Sequence, residues 1–194
     1  EVAHRSPEVE TLVRERYGFH EPWPIVLFVG RLTSDKGAQE FIDAMVETNR
    51  RCAHFYLVVV AGGSDISWAN SKLIAGGFGA RFILERSLPH RDLLAYYEQV
   101  DIFVSTNRLA NLTNTILEAM AAGTCIVMLG KDSVTLADVS TESLVPDDVI
   151  VRVVRSSGTA GLVDALTSLL TDPTAIDTFQ KSVKDFGGTF LQSW

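Results

Sequence analysis

The sequence predicts a doubly wound α/β domain: a parallel sheet of about six strands with helices on both faces. Three observations lead there. Segments such as 25–29 and 55–61 run apolar without alternation, as strands covered on both faces do. Stretches with apolar residues at helical spacing lie between such segments, and buried strands joined by helical crossovers build a parallel sheet. A length of 194 residues fits one domain. Roughly 70% of the unfolded surface is buried at that size, so the core needs no covalent staples.

The elements follow in order. Ser6-Pro7-Glu8 opens a helix: the serine caps it, the proline fits its first turn, and the acid suits its positive end. It runs to about Tyr17 and stops at Gly18. Pro22 and Pro24 punctuate the chain before the strand at 25–29. Residues 37–49 are amphipathic, with Phe41, Ile42, Met45 and Val46 on one side. The strand at 55–61 is closed by Gly62 and Gly63. A helix over 67–75, a short strand over 81–84 and a helix over 89–99 come next. The last of these turns Leu93, Leu94, Tyr96 and Tyr97 to the core. A strand over 101–105, a helix over 113–122 and a strand over 124–129 continue the alternation. A sixth strand falls at 149–154, followed by helices at 159–170 and 173–186; Asp172-Pro173 starts the second. Residues 130–148 show only weak periodicity. The domain therefore divides into an N-terminal helix and lead-in (1–21), an α/β core (22–172) and a C-terminal helix (173–194).

A net charge of -7 argues against non-specific nucleic-acid binding and against docking on an acidic membrane. Functional basic residues should then be local and aimed. Cys52 and Cys125 lie far apart in apolar contexts and read as buried thiols of a reducing compartment, here the cytoplasm. The longest apolar runs are too short to span a bilayer, and no signal peptide is visible. The chain starts with Glu1 rather than Met and enters a helix signal at once, which reads as a piece of something longer.

Two stretches carry chemistry. In "FVGRLTSDKG", residues 28–37, Gly30 and Arg31 come directly after the core strand, and Lys36 follows within the same short loop. Ligands of doubly wound sheets bind beyond the carboxyl ends of the strands. A glycine lets the backbone approach a ligand, an arginine offers a planar fork for phosphate oxygens, and a lysine offers a mobile charge. Charge pattern alone favours a plainer reading, two solvated loop cations near Asp35. Neither the dinucleotide fingerprint nor the P-loop is present. The second stretch, "NLTNTILEAMAAG" at 111–123, shifts the balance. It follows the strand at 101–105 and starts a helix that Asn111 or Thr113 can cap. The free amides near Thr113, Asn114 and Thr115 form a positive pocket for phosphate or sugar oxygens. Glu118, one turn in, can point to the same cleft and accept from a ribose diol; it reads equally well as a surface acid.

With "LVVVAGG", "LPHRDLLAYYEQVDIFVST" and "TILEAMAAG" in register behind "VGRLTSDKG", the chain resembles the C-terminal domain of GT-B glycosyltransferases. In particular it resembles glycosyltransferase family 4, the glycosyl transferases group 1 domain, over about residues 22–172. That resemblance implies a Rossmann-like half of a GT-B fold. It implies that Arg31 and Lys36, the catalytic cations, hold the donor diphosphate beside Gly30. The amides of Asn114 and Thr115 would meet the same group, and those of Asn111, Leu112 and Thr113 the sugar. Glu118 would hold the ribose, Arg86, Ser87 and Leu88 would lie along the nucleobase, and Gly62 with Gly63 would keep the cleft open.

One departure stands out. The family pattern places a second acid eight positions before Glu118, and here that position is Ala110. The sugar is then gripped differently, donor choice is altered, or transfer is weak. The region 130–148 also lacks the family's glycine-rich turn with its acid. The sequence has no Asp-x-Asp motif, and Asp147-Asp148 lacks that spacing. Arg31, Lys36 and a helix N-terminus can stabilise a departing diphosphate instead. The resemblance implies retaining transfer from a UDP-, GDP- or ADP-sugar with no metal or other cofactor. The sugar or lipid-linked acceptor, and any peripheral membrane contact, would belong to a separate N-terminal domain. The rival readings are a sugar phosphorylase or epimerase of similar architecture, and a binding module that has lost catalysis, which Ala110 favours. The four histidines share no ligand spacing, and His90 reads as a first-turn helix residue.

Overall fold

The structure is a computed structural model that describes residues 12–108, 112–130 and 144–191. Its elements alternate as expected. They run α1 Leu12–Tyr17, β1 Ile25–Arg31, α2 Ala38–Arg51, β2 Tyr56–Gly62, α3 Ile66–Ala75, β3 Phe82–Glu85, α4 His90–Gln99 and β4 Ile102–Ser105. Then come α5 Asn114–Ala122, β5 Cys125–Gly130, β6 Val151–Val154, α6 Gly158–Thr171 and α7 Pro173–Phe190. The proposed start of the first helix at Ser6 lies outside the described residues, as do Ala110, Asn111 and most of the weakly periodic 130–148 region.

The six strands form one parallel sheet in the order β3-β2-β1-β4-β5-β6. Successive side chains of a strand point to opposite faces, and that rule splits the core in two. Val26, Phe28, Leu57, Val59, Ile102, Val104, Cys125 and Val127 join α2, α3 and α6 on one face. Ile25, Leu27, Tyr56, Val58, Phe103, Ile126 and Met128 join α1, α4, α5 and α7 on the other. Strands buried on both sides must read as continuous apolar runs, which is the pattern the sequence carries.

Several boundaries move for physical reasons. β1 does not end at Val29: Gly30 and Arg31 stay in the strand because they pair with Ala61 and Gly62 of β2. α7 runs past residue 186 to Phe190, where Phe186 and Phe190 stack at 5.0 Å and pack on the second core. Its start is as expected, with the Asp172 carboxylate accepting from the amides of Thr174 and Ala175 at 3.1 and 3.3 Å. The apolar spacing of α4 predicts a buried Leu94, but the residue is exposed, while Tyr96 and Tyr97 are buried. Only one of the two cysteines is fully buried. Burial first, and then the charge of Asp101, pushes the Cys125 thiol up to about 12, whereas Cys52 is half-buried at the end of α2. Among the described residues no helix is long and apolar enough to cross a membrane.

Candidate functional site

The chain leaves β1 toward β2 and β3, and leaves β4 toward β5 and β6. Between β1 and β4 the strand order therefore reverses, and crevices form at such switch points beyond the carboxyl ends. The register shows the crevice opening. β1 pairs with β2 from Ile25 opposite Tyr56 through to Arg31 opposite Gly62. It pairs with β4 only at Val26 opposite Ile102 and Leu27 opposite Phe103. Beyond Leu27 the two strands part, and a cleft of about 330 Å³ lies there. Phe28, Val29, Gly30, Arg31 and Lys36 line it from β1 and the following turn, Ser105, Thr106 and Asn107 from the end of β4, and Thr113, Asn114 and Thr115 from the start of α5.

Local structure aims the two cations. Leu32 is fully buried, and its amide donates to Gly62 O at 2.8 Å, which anchors the chain just after Arg31. A 3-10 turn, Ser34–Lys36, then brings Lys36 back to the cleft and is stopped by Gly37 at φ 69°. Glycine is required at that residue: a Cβ there would lie 2.4 Å from Thr106 O. The Thr106 hydroxyl donates to Lys36 O at 2.9 Å, so the segments after β1 and β4 brace each other across the crevice. Among the described residues neither Arg31 nor Lys36 is in an ion pair. The Asp35 carboxyl is held below its usual range, first by the Thr33 side chain, then by its own backbone amide, and after these by the charges of Arg31 and Lys36.

The third wall is the start of α5. Thr113 occupies the N-cap position with extended backbone, as expected, but its hydroxyl pairs with the Thr115 hydroxyl at 2.8 Å and caps no amide. Thr113 O takes the amides of Ile116 and Leu117, both at 3.0 Å. The amides of Asn114 and Thr115 have no acceptor among the described residues. They face a cleft that already holds two cationic side chains. Such a helix start attracts anions through its open N–H groups and its dipole.

Of the predicted site residues, the cleft thus brings together Gly30, Arg31, Lys36, Thr113, Asn114 and Thr115. Asn111 lies outside the described residues. Gly62 ends β2 on the far flank of β1 and lines no part of the cleft; a Cβ added there would meet nothing within 4 Å. Arg86 and Ser87 are exposed after β3, and the half-buried side chains of Leu88 and Leu112 pack against the second core. Glu118 does not line the cleft. It stands four residues after Asn114, hence on the same helix face about 6 Å further along. There its carboxylate is 20% exposed and its Oε1 lies 2.9 Å from Nε2 of His90. The Tyr97 hydroxyl is buried near the same carboxylate without a hydrogen-bond partner. Burial first, and the charge of Glu118 second, keep that phenol protonated far above its usual range.

Ser105, Thr106 and Asn107 were missed as lining residues. They end or follow β4 as Gly30 and Arg31 end β1, so the carboxyl-end rule applied to both strands would have found them. All three are buried. Arg108, next in the chain, pairs with Glu40 in the first turn of α2.

The family described as "Glycosyl transferases group 1" matches residues 23–172. A relative named alpha-D-kanosaminyltransferase, from Streptomyces kanamyceticus, is 28% identical over 161 residues, covering 83% of this chain and 40% of its own length. The chain thus spans less than half the length of that relative. Among solved structures, the C-terminal domain of a glycosyl transferase group 1 family protein from Francisella tularensis superposes with a TM-score of 0.73 at 20% identity, covering 91% of both chains. Anabaena HepE in complex with UDP-glucose gives 0.72 at 17% identity, covering 95% of this chain and 49% of that one. Likeness at those identities establishes the fold.

Proposed function

Because the chain belongs to the glycosyl transferases group 1 family, we propose that it is the donor-binding domain of a retaining, metal-independent glycosyltransferase. Its donor is a nucleoside-diphosphate sugar. The observation that carries the reading is the convergence of Arg31, Lys36 and the open amides of α5 on one cleft at the switch point. The UDP-glucose complex of HepE, which shares the fold, supports a donor of this class.

The chemistry follows from charge. As the bond between the anomeric carbon and the diphosphate oxygen breaks, both bonding electrons stay on the diphosphate. Its negative charge grows in the transition state. Donors already fixed where that charge develops lower the barrier without reorganising. Arg31 meets two oxygens with its fork, Lys36 adds a point charge, and the amides of Asn114 and Thr115 add two more donors. No Asp-bound metal is required by this set. Glu118, one turn along α5, accepts from the ribose diol, and the backbone of Arg86, Ser87 and Leu88 borders the base. The acceptor, a sugar or a lipid-linked sugar, is recognised by a second domain, as the greater length of the relatives suggests. We place the reaction in the cytoplasm.

Titration calorimetry with UDP, GDP, ADP and their sugars tests the reading. At least one should bind at sub-millimolar concentration, and Arg31→Ala should weaken it about tenfold or more, the value of one charge-assisted hydrogen bond or two. Heat from none of them at millimolar ligand contradicts it. A second reading, a donor-binding module without transfer, is favoured by Ala110 at the position of the family's other acid. A longer protein containing this chain that binds donor yet neither transfers nor hydrolyses it decides for that reading.

A further inference from the structure

His90 is 69% exposed, so its ring contributes little packing, yet its Nε2 lies 2.9 Å from Glu118 Oε1 across 28 residues of sequence. We propose that His90 is a positioning residue: it holds the Glu118 carboxylate in place for the ribose of a bound nucleotide. The inference rests on the donor reading above and adds to it a residue on a different helix.

Four features carry it. A carboxylate only accepts, so Nε2 is the protonated ring nitrogen and donates to Oε1. A carboxylate offers about four acceptor sites, so one bond to His90 leaves Oε2 and part of Oε1 for a diol. Glu118 continues the face of α5 whose first residue, Asn114, lines the cleft. His90 opens α4 directly after the segment from Arg86 to Pro89 that leaves β3 at the carboxyl edge of the sheet. Through His90 the carboxylate therefore links the helix that borders the cleft to the helix that follows that segment. Beneath it, the unpartnered Tyr97 hydroxyl provides a second polar group at full burial. The nearest charges on α4, Arg91 and Asp92, pair with each other at 3.7 Å and do not compete for Glu118. Without His90 the carboxylate keeps only the neighbouring Tyr97 hydroxyl beside it, and the ligand has to supply the rest of its ordering.

The test compares His90→Ala, His90→Gln and the unaltered 194-residue chain. Each is titrated with UDP, GDP and ADP, with their 2′-deoxy forms, and with inorganic pyrophosphate. His90→Ala should bind the preferred nucleoside diphosphate about three- to tenfold more weakly, the effect of freeing one side chain that must be ordered on binding. Its preference for the ribo form over the deoxy form should shrink. Pyrophosphate affinity and melting temperature should not change. His90→Gln, whose amide nitrogen can donate in the same place, should recover most of the loss. Unchanged or tighter nucleotide binding by His90→Ala overturns the proposal, as does an equal loss for pyrophosphate or a Gln variant no better than Ala. Failure of the unaltered chain to bind any nucleoside diphosphate removes the donor reading itself, and this inference with it.

Discussion

β1 has one closed flank and one open flank. Toward β2 the ladder continues without a break to Arg31 opposite Gly62, and the backbone groups that point to that side are paired. Toward β4 it ends at Leu27 opposite Phe103, after which the strands part around a cleft. The same residues, Phe28, Val29, Gly30 and Arg31, are thus structural on one side and open to a ligand on the other. Closure on the β2 side gives rigidity, and that rigidity holds Arg31 at the mouth of the crevice. Two glycines express the difference. Gly37, near the open flank, sits in left-handed geometry against Thr106. Gly62, on the closed flank, has free space beside it and ordinary backbone.

The comparison can be broken most severely by charge reversal on the open flank. Lys36→Glu should abolish nucleoside-diphosphate binding. One cation–phosphate contact is lost and a repulsion is added, together about 3 kcal/mol, or roughly a hundredfold in affinity. Melting temperature should hold, because Lys36 is in no ion pair among the described residues; calorimetry and thermal denaturation read the two effects separately. Smaller, and acting on the fold, is Gly37→Val. A β-branched residue at φ 69° with its Cβ 2.4 Å from Thr106 O should cost about 2 kcal/mol or more. For a chain of this size that lowers the melting temperature by about 4–8 °C. Gly62→Ala should do least, within about 0.5 kcal/mol of the original stability and with unchanged ligand binding. A Gly62 variant that lost binding would show that the closed flank also contributes to the site.

Much of this was legible in the sequence because it depends on local facts. Continuous apolar runs mark strands with two covered faces, Asp172-Pro173 marks a helix start, and the positions of Gly30, Arg31 and Lys36 follow from where β1 must stop. What escaped was non-local. The extension of β1 to Arg31 depends on pairing with β2. The place of Ser105, Thr106 and Asn107 depends on where β1 and β4 separate, which no single segment records. His90 and Glu118 belong to different helices, and neither helix carries a sign that the other supplies its partner. The burial of Tyr97 was evident from its helix face, but its position under the Glu118 carboxylate was not. Leu94 followed the apolar spacing of α4 and lies just beyond the covered arc.

The central claim is that two cations and one helix start share a single anion site at the parting of β1 and β4. Amide chemical-shift mapping on the ¹⁵N-labelled chain, titrated with whichever of UDP, GDP and ADP binds, tests it most directly. The largest shifts should fall at Gly30, Arg31, Asn107, Asn114 and Thr115. Shifts confined to other surfaces, or an undisturbed spectrum at millimolar ligand, would contradict it.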